Sequence, residues 1–517
     1  MMRNRRWWAL GGIQLAVLAV GLDITVLSVA LPTLARALHA SESDLQWFSS
    51  GYTLVLAGAV LPAGLLGDRY GRKKVMLLAL ALFGVGSAAC AAAPSAAAFL
   101  AARMVLGLAG AGVIVMAVSA LTVLFTEEER PRAVAIWAAA NVLAMPIGPV
   151  LGGWLLSHAW WGWVFLINVP AALLGLVMGM ALVPESRAPE RPGLDPLGVV
   201  SSSAGLAGVT YGLIEAGRNG WGDALSLGAM GVGMVALVGF FLWERRLSGL
   251  SGGWPLVDLA LFRSASFTWG VILVTVGTLL LTGMLFTVPQ YFQAVLGADA
   301  MGSGLRLLPA IGGFLIGAVP AERLVRRAGA KVTAASGFAL LAAALATGAT
   351  TRVGSGEGFV AAWMAGAGAG LGLVFTTAAS TALTELSAER SGMGSALLQA
   401  LKNVGAPLGS ALLGSVLASA YRADLPSAGL PAGALGAAGE SVFAGLALAH
   451  RLGSAGLATS VRLAFVQGMD AALLVSAAVA GAGMLLALAF LPGRPARGRL
   501  PENRGEESPC PTTTDRR

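Results

Sequence analysis

The chain alternates long apolar runs with short polar breaks. Fourteen runs are legible, at approximately 8–31, 45–66, 75–95, 97–123, 133–156, 161–183, 196–214, 225–243, 266–289, 303–321, 332–350, 359–383, 393–419 and 468–491. A helix needs about 20 apolar residues to cross a bilayer. The pattern therefore predicts an all-α polytopic membrane protein with fourteen transmembrane helices. Pro and Gly interrupt several runs, which the interior of a helix bundle tolerates. Polar, Pro/Gly-rich linkers at 184–195 and 244–265 bracket the seventh and eighth runs. The Ala/Gly-rich stretch 420–465 has a weak pattern and predicts a long outer loop, and the polar residues 493–517 predict a disordered cytoplasmic tail.

Composition changes this picture little. The chain has 517 residues, 56% hydrophobic and 12% charged, where a soluble domain carries roughly 25% charged residues. The 71 glycines suit closely packed membrane helices. The formal charge of +8 does not point to nucleic acid, because the basic residues are scattered over short loops. Cys90 and Cys510 are isolated, which excludes a disulfide framework and a cysteine zinc site. Arg3, Arg5 and Arg6 precede a run that is too long for a signal-peptide core and contains Asp23, so an uncleaved first span is expected.

Charge decides the orientation. With the N-terminus inside, 25 of the 34 Lys and Arg fall at the chain ends and on cytoplasmic loops, and seven fall on outer loops. Arg103 and Lys402 lie within spans. That bias predicts both termini on the cytoplasmic side.

The densest knot of charge lies between the second and third runs, Gly64-Leu-Leu-Gly-Asp-Arg-Tyr-Gly-Arg-Lys-Lys-Val-Met-Leu77. Arg69, Arg72, Lys73 and Lys74 belong at a membrane face, and Gly64, Gly67 and Gly71 permit close helix approach and a sharp turn. The spacing G-x-L-x-D-R-x-G-R-K resembles the loop signature between helices two and three of the major facilitator superfamily of secondary transporters. A weaker copy, GAVPAERLVRRAGAK, follows the tenth run at 317–331. Parallel repeats belong to that fold, and the resemblance implies two six-helix halves at 1–184 and 264–492, flanking an inserted pair within 185–263.

Four further stretches resemble the fourteen-span drug:proton antiporters of this superfamily. They are Leu22–Pro32 in the first span, Arg103 with Gly107 in the fourth, Pro146–Gly153 in the fifth and Trp161–Pro170 in the sixth. Leu106, Ala144 and Gly162 depart from the usual Gln, Gly and Arg. Asp23 lies about 12 Å from the outer end of its span and Arg103 about 9 Å, at 1.5 Å per residue. The two could pair if spans one and four are neighbours, as the resemblance implies. Burial penalises a carboxylate and a neighbouring guanidinium favours it, so the pair is either a proton-coupling site or a static ion pair. Gly148, Pro149, Gly152 and Gly153 have no proton chemistry, and their expected use is geometric. The resemblance implies that this helix seals the inner halves against leak. Gly64, Asp68, Arg69, Gly71 and Arg72 are the candidate cytoplasmic gate. There Asp68 meets either a helix start at Gly392–Gly394 or Arg72 locally.

Lys402, beside Gln399, could bind an anionic substrate group, balance a carboxylate or snorkel. Thr376, Thr377, Ser380 and Thr381, with Thr275, Thr278 and Thr282, could line a cavity or bond within and between helices. Trp47, Phe48, Tyr52, Met284 and Phe286 could offer apolar surface to a substrate, or face lipid. No phosphate loop and no H-E-x-x-H is present, and His39, His158 and His450 show no metal spacing. A membrane enzyme or ATP-driven pump is thus disfavoured, and no cofactor or metal is expected. The resemblance implies a secondary transporter in the cytoplasmic membrane of a bacterium. It would be a monomer exchanging protons for amphipathic drugs or antibiotics, with neutral or anionic aromatic compounds favoured. A metabolite or osmolyte carrier is the alternative.

Overall fold

The computed structural model describes residues 2–126, 129–187, 195–250, 256–257, 259–384, 388–425 and 432–492. Among them the chain is helical throughout, with no strand. The first half comprises α1 (Met2–Ala37), α2 (Glu42–Tyr70), α3 (Arg72–Ala91), α4 (Ala96–Leu124), α5 (Arg130–His158), α6 (Trp163–Leu166) and α7 (Asn168–Leu182). Two helices follow, α8 (Pro196–Asn219) and α9 (Ala224–Ser248). The remainder comprises α10 (Ala265–Ala294), α11 (Ala300–Arg306), α12 (Leu308–Ala328), α13 (Ala330–Gly348), α14 (Glu357–Thr384), α15 (Ala388–Ala423), α16 (Ala432–Glu440), α17 (Val442–Arg451) and α18 (Ala455–Phe490).

Among the described residues thirteen helical bodies are long and apolar enough to cross a bilayer, counting α6–α7 and α11–α12 as one each. The 29-residue α5 occupies the place of the fifth predicted run, with many of its side chains outside the described set. Helix starts carry the caps that their unsatisfied N–H groups require. Ser41 and Asp44 form a capping box on α2, and Ser95, Asp195, Asp223, Ser264, Asp299 and Ser454 cap their own helices. Asp223, in the loop before α9, accepts from both the N–H and the hydroxyl of Ser226, which holds its carboxyl below the usual range.

The internal repeat is visible as turn geometry. Gly71 (φ 121°) joins α2 to α3 and Gly329 (φ 89°) joins α12 to α13, and each donates its N–H to the carbonyl four residues back. A side chain would be strained at either φ.

The outer stretch departs from expectation. Instead of a loop across 420–465, α15 continues to Ala423, α16 and α17 follow, and α18 begins at Ala455. Val442, Phe443 and Ala449 are buried, and the Tyr421 hydroxyl donates to Ala438 O at 2.9 Å. Helices this short cannot span a bilayer, so they escape a search for long apolar runs; tertiary contact holds them. The predicted tail at 493–517, most of the linker 188–194 and Cys510 lie outside the described residues.

Packing relies on small residues. A Cβ at Gly313 or Gly317 of α12 would lie 2.0 Å from a carbonyl oxygen of α14, and one at Gly368 or Gly372 of α14 would lie 1.9 or 2.1 Å from a carbonyl of α12. The two backbones interlock face to face. Gly368→Val is expected to lower the thermal midpoint in detergent by several degrees, through overpacking of about 1–3 kcal/mol. Gly228→Ala, where the added Cβ meets nothing within 4 Å, should leave it unchanged.

Candidate functional site: a buried charge pair in the first half

Gly107 and Gly110 of α4 bring that helix onto α2. A Cβ at Gly107 would fall 2.3 Å from Tyr52 O, and one at Gly110 would fall 2.8 Å from the Tyr52 hydroxyl. One turn before Gly107, Arg103 is thereby laid over the Tyr52 ring, 4.3 Å from its centroid. Its Nη1 donates to Asp23 Oδ2 of α1 at 2.5 Å, and its Nε donates to Phe48 O at 3.3 Å. Asp23 and Arg103 are 3% and 1% exposed.

Asn168, the first residue of α7, donates from Nδ2 to the other oxygen, Asp23 Oδ1, at 3.3 Å. Phe48, Phe99, Phe165 and Trp161 pack edge to face beside the pair. Both charges are therefore out of water and compensated by one another, by a ring face and by amide groups. The expected meeting of Asp23 with Arg103 is realised. Sequence reasoning missed Asn168, although it lies in the quoted sixth-span stretch. It also took Phe48 and Tyr52 for apolar surface, whereas Phe48 supplies a carbonyl and Tyr52 a ring to Arg103.

The departures from the usual motifs are accommodated locally. Ala144 sits opposite Gly21, where a Cβ would lie only 2.8 Å from its own. Leu106 is fully buried against Gly86. Gly162 leaves room for the Trp160 ring.

The fifth-span residues divide between two partners. Gly148 and Gly152, one turn apart, face α1: Cβ atoms there would lie 1.9 Å from Thr25 Oγ1 and 2.5 Å from Val26 Cγ1. Gly153 and Pro149 face α11, with a Gly153 Cβ 2.6 Å from Ala300 O and a Gly304 Cβ 2.2 Å from Pro149 O. This helix thus packs closely against side chains of the charge-bearing α1 on one face and against the backbone of α11 on the other.

The other polar contacts between α1, α2 or α5 and the second half lie at the end where α1 finishes and α2 begins. Gln293 donates to Val29 O, Gln290 to Glu42, Ser415 to Gln46, and Ser50 bonds Ser410. Ser157 of α5 bonds Asp299. These bonds tie the two halves together at that end. At the opposite end, Asp68 pairs with Arg72 at 2.8 Å, the local alternative. The turn docks within the first half: Arg72 N–H donates to Ser186 O, Lys73 N–H to Glu185, and Lys73 Nζ to Met180 O. Arg69 lies over the Tyr70 ring. Gly64 meets Val115 at an ordinary 3.5 Å and Gly67 meets the movable end of Met116, so in this turn the positive φ of Gly71 is what demands glycine. Side chains at 392–394 lie outside the described set.

Two cavities flank α10, of about 20 and 30 Å³. The first is lined by Pro149, Met284, Phe314 and Leu371 among others, and the second by Ser28, Thr53, Arg103, Thr282 and Phe286 among others. A drug-sized ligand needs roughly 300–1,000 Å³, more than either of these two cavities offers, whereas a third of about 870 Å³ lies between Ser41, Asp44, Arg218, Arg422 and Glu440. Thr282 and Thr275 bond carbonyls of α15 at Ala406 and Leu401, and Thr381 and Ser380 bond Thr377 O. The hydroxyls therefore serve packing, except Thr377, whose own Oγ1 is buried and unpartnered. Thr376 and Gln399 are half-buried, as is Lys402, which no ion pair reaches among the described residues. Trp47 packs on Tyr211 of α8. No cluster of three metal-ligating side chains exists among the described residues.

The profile of the Major Facilitator Superfamily matches residues 13–410. The chain belongs to this superfamily. It is 34% identical to the tetracenomycin C resistance and export protein of Streptomyces glaucescens, over 99% of this chain and 96% of that one. It is 33% identical to the multidrug efflux pump LfrA of Mycolicibacterium smegmatis, over 93% and 96%. Among solved structures it superposes on an inward-facing bacterial homologue of the human lysosomal transporter Spinster with a TM-score of 0.66, at 16% identity over 94% of this chain and 98% of that one. A D-xylose-proton symporter matches with a TM-score of 0.59, at 15% identity over 94% and 98%. The fold is that of a major facilitator, and the chain is a multi-pass membrane transporter rather than an enzyme.

Proposed function

We propose that this chain exports amphipathic drugs or antibiotics across the cytoplasmic membrane of a bacterium in exchange for protons. In this reading fourteen spans place both termini in the cytoplasm, with halves at 1–184 and 264–492 rocking about a central site and the inserted pair between them. The observation that carries it is the Asp23–Arg103 pair, an ionisable couple buried inside a membrane bundle. The named export activities of the relatives support the direction of transport.

The chemistry assigned to the residues is simple. Ionised Asp23 holds Arg103 through Oδ2, while Asn168 fixes the carboxylate through Oδ1. A proton arriving at Asp23 cancels that attraction. Arg103 then keeps only Phe48 O and the Tyr52 ring. Since α1 is locked to α5 at Thr25–Gly148, and α5 to α11 at Pro149–Gly304, a shift of α1 reaches the outer contacts that tie the halves together. Asp68 and Arg72 would trade their local pair for contacts with the other half when the cytoplasmic end closes.

The walls of the two cavities beside α10 are apolar and hydroxylated apart from Arg103, whose charge Asp23 balances, which favours neutral or anionic aromatic substrates over divalent cations. In everted vesicles an inside-acid gradient should drive substrate inward, and collapse of the gradient should abolish it. Accumulation unaffected by the gradient would refute proton antiport. Resistance confined to divalent cationic dyes would refute the substrate class.

A further inference from the structure

The first turn of α8 and the last turn of α9 meet at two carboxylates that the transport account does not use. Asp195 caps α8, its Oδ1 accepting from Gly198 N–H at 3.0 Å and from the Trp243 indole N–H at 2.9 Å. Glu244 of α9 accepts through Oε2 from Val257 N–H at 3.1 Å. Both residues are buried, at 4% and 0% exposure. The remaining oxygens, Asp195 Oδ2 and Glu244 Oε1, are each buried without a hydrogen-bond partner.

These two oxygens face the same spot. A Cβ at Gly198 would lie 2.0 Å from Oδ2 and 2.7 Å from Oε1, so they are separated by no more than the sum of those distances. Among the described residues, the hydrogen bonds to the pair fall on the outer oxygens. Among the described residues, the cations nearest in sequence are exposed: Arg245 and Arg246 on α9, Arg263 on the following turn and Arg187 before α8. No titratable side chain of α8 lies near its first turn, Glu215 and Arg218 being at its far end. No ion pair reaches either carboxylate among the described residues. Two ionised carboxylates so placed would leave like charges buried and unsatisfied, at a cost that removes the arrangement. One proton between them satisfies both oxygens at once.

We propose that Asp195 and Glu244 share a single proton, forming a carboxyl–carboxylate clasp between α8, α9 and the segment leading to α10. It is a second proton-binding site, on the inserted helix pair and apart from Asp23. Proton and charge balance is direct: the clasp binds one proton and carries one negative charge, and losing that proton leaves two negative charges in contact. In the unfolded chain both groups are ordinary solvated carboxylates, ionised at neutral pH. The folded state therefore holds one more proton than the unfolded, and the stability it lends is lost as pH rises.

The test is carried out on the purified full chain in detergent. Infrared spectra of the wild type at neutral pH should contain a protonated-carboxyl C=O band that is lost in Glu244→Gln and in Asp195→Asn, and retained in Asp23→Asn. Glu244→Gln supplies an amide N–H to Asp195 Oδ2, so it should fold at least as well as wild type. Its thermal midpoint should fall less with rising pH than that of the wild type. An unchanged band and unchanged pH dependence in both variants would overturn the clasp. So would a wild-type midpoint that responds to Na⁺ or Ca²⁺ and to chelator but not to pH, which would mark a cation site. Failure of both amide variants to fold would equally overturn it, because an amide hydrogen bond should replace the shared proton. Persistence of the band in Asp23→Asn separates this result from the fate of the transport mechanism.

Discussion

Arg103→Met is expected to unfold far more readily than wild type, whereas Asp23→Leu combined with Arg103→Met recovers most of the loss. In the single variant Asp23 keeps only the Asn168 amide, at 3.3 Å, in a site shielded from water. Breaking a buried ion pair by removing one partner costs about 3–5 kcal/mol, because the survivor's charge is left uncompensated. Removing both charges returns an apolar site of similar volume, which is near neutral for stability. Thermal unfolding in detergent measures the comparison. The double variant should nevertheless transport nothing uphill, having lost the carboxylate. A double variant as unstable as the single would mean that Arg103 is held by the Tyr52 ring and Phe48 O, with the ion pair incidental.

Gly148→Val is expected to abolish efflux while leaving the protein able to reach the membrane. The added Cβ would fall 1.9 Å from Thr25 Oγ1 and 2.9 Å from Thr25 Cβ, two residues from Asp23. Thr25 cannot retreat easily, because its hydroxyl is bonded to Gly21 O, Leu22 O and Ala144 O. The helices must separate, at about 1–3 kcal/mol of strain. Their separation breaks the route from α1 through α5 to α11 proposed above. Gly11→Ala on the same α1, where the new Cβ meets nothing within 4 Å, is the matched control and should transport normally. Resistance and dye efflux, normalised to protein level, read both variants. Wild-type efflux from Gly148→Val would remove α5 from the coupling route.

Much of this was legible in the chain, for identifiable reasons. A membrane span writes itself as a long apolar run, and an intramembrane charge stands out against it, so the helices and the Asp23–Arg103 pair could be read directly. Polar residues that act through amides do not stand out. Asn168 has no charge, and Glu42 and Gln290, 248 positions apart, meet only because two distant helices share one end of the bundle. The same is true of Asp195 and Glu244, which sit at the edges of runs and look like ordinary loop polarity. Helices α16 and α17 were invisible because they are too short for the span criterion and are held by burial of Val442 and Phe443 rather than by length. Asp68 was legible as a charge at a membrane face, yet the chain alone left open whether it meets Arg72 or a helix start in the other half.

The most direct test of the central claim is substrate-induced proton release from purified protein, wild type against Asp23→Asn, with substrate binding measured on the same samples. The account predicts proton release by wild type, and binding without release by the variant, which should also fail to concentrate substrate in everted vesicles. An Asp23→Asn protein that still releases protons and drives uphill transport would contradict it and move the coupling proton to another group.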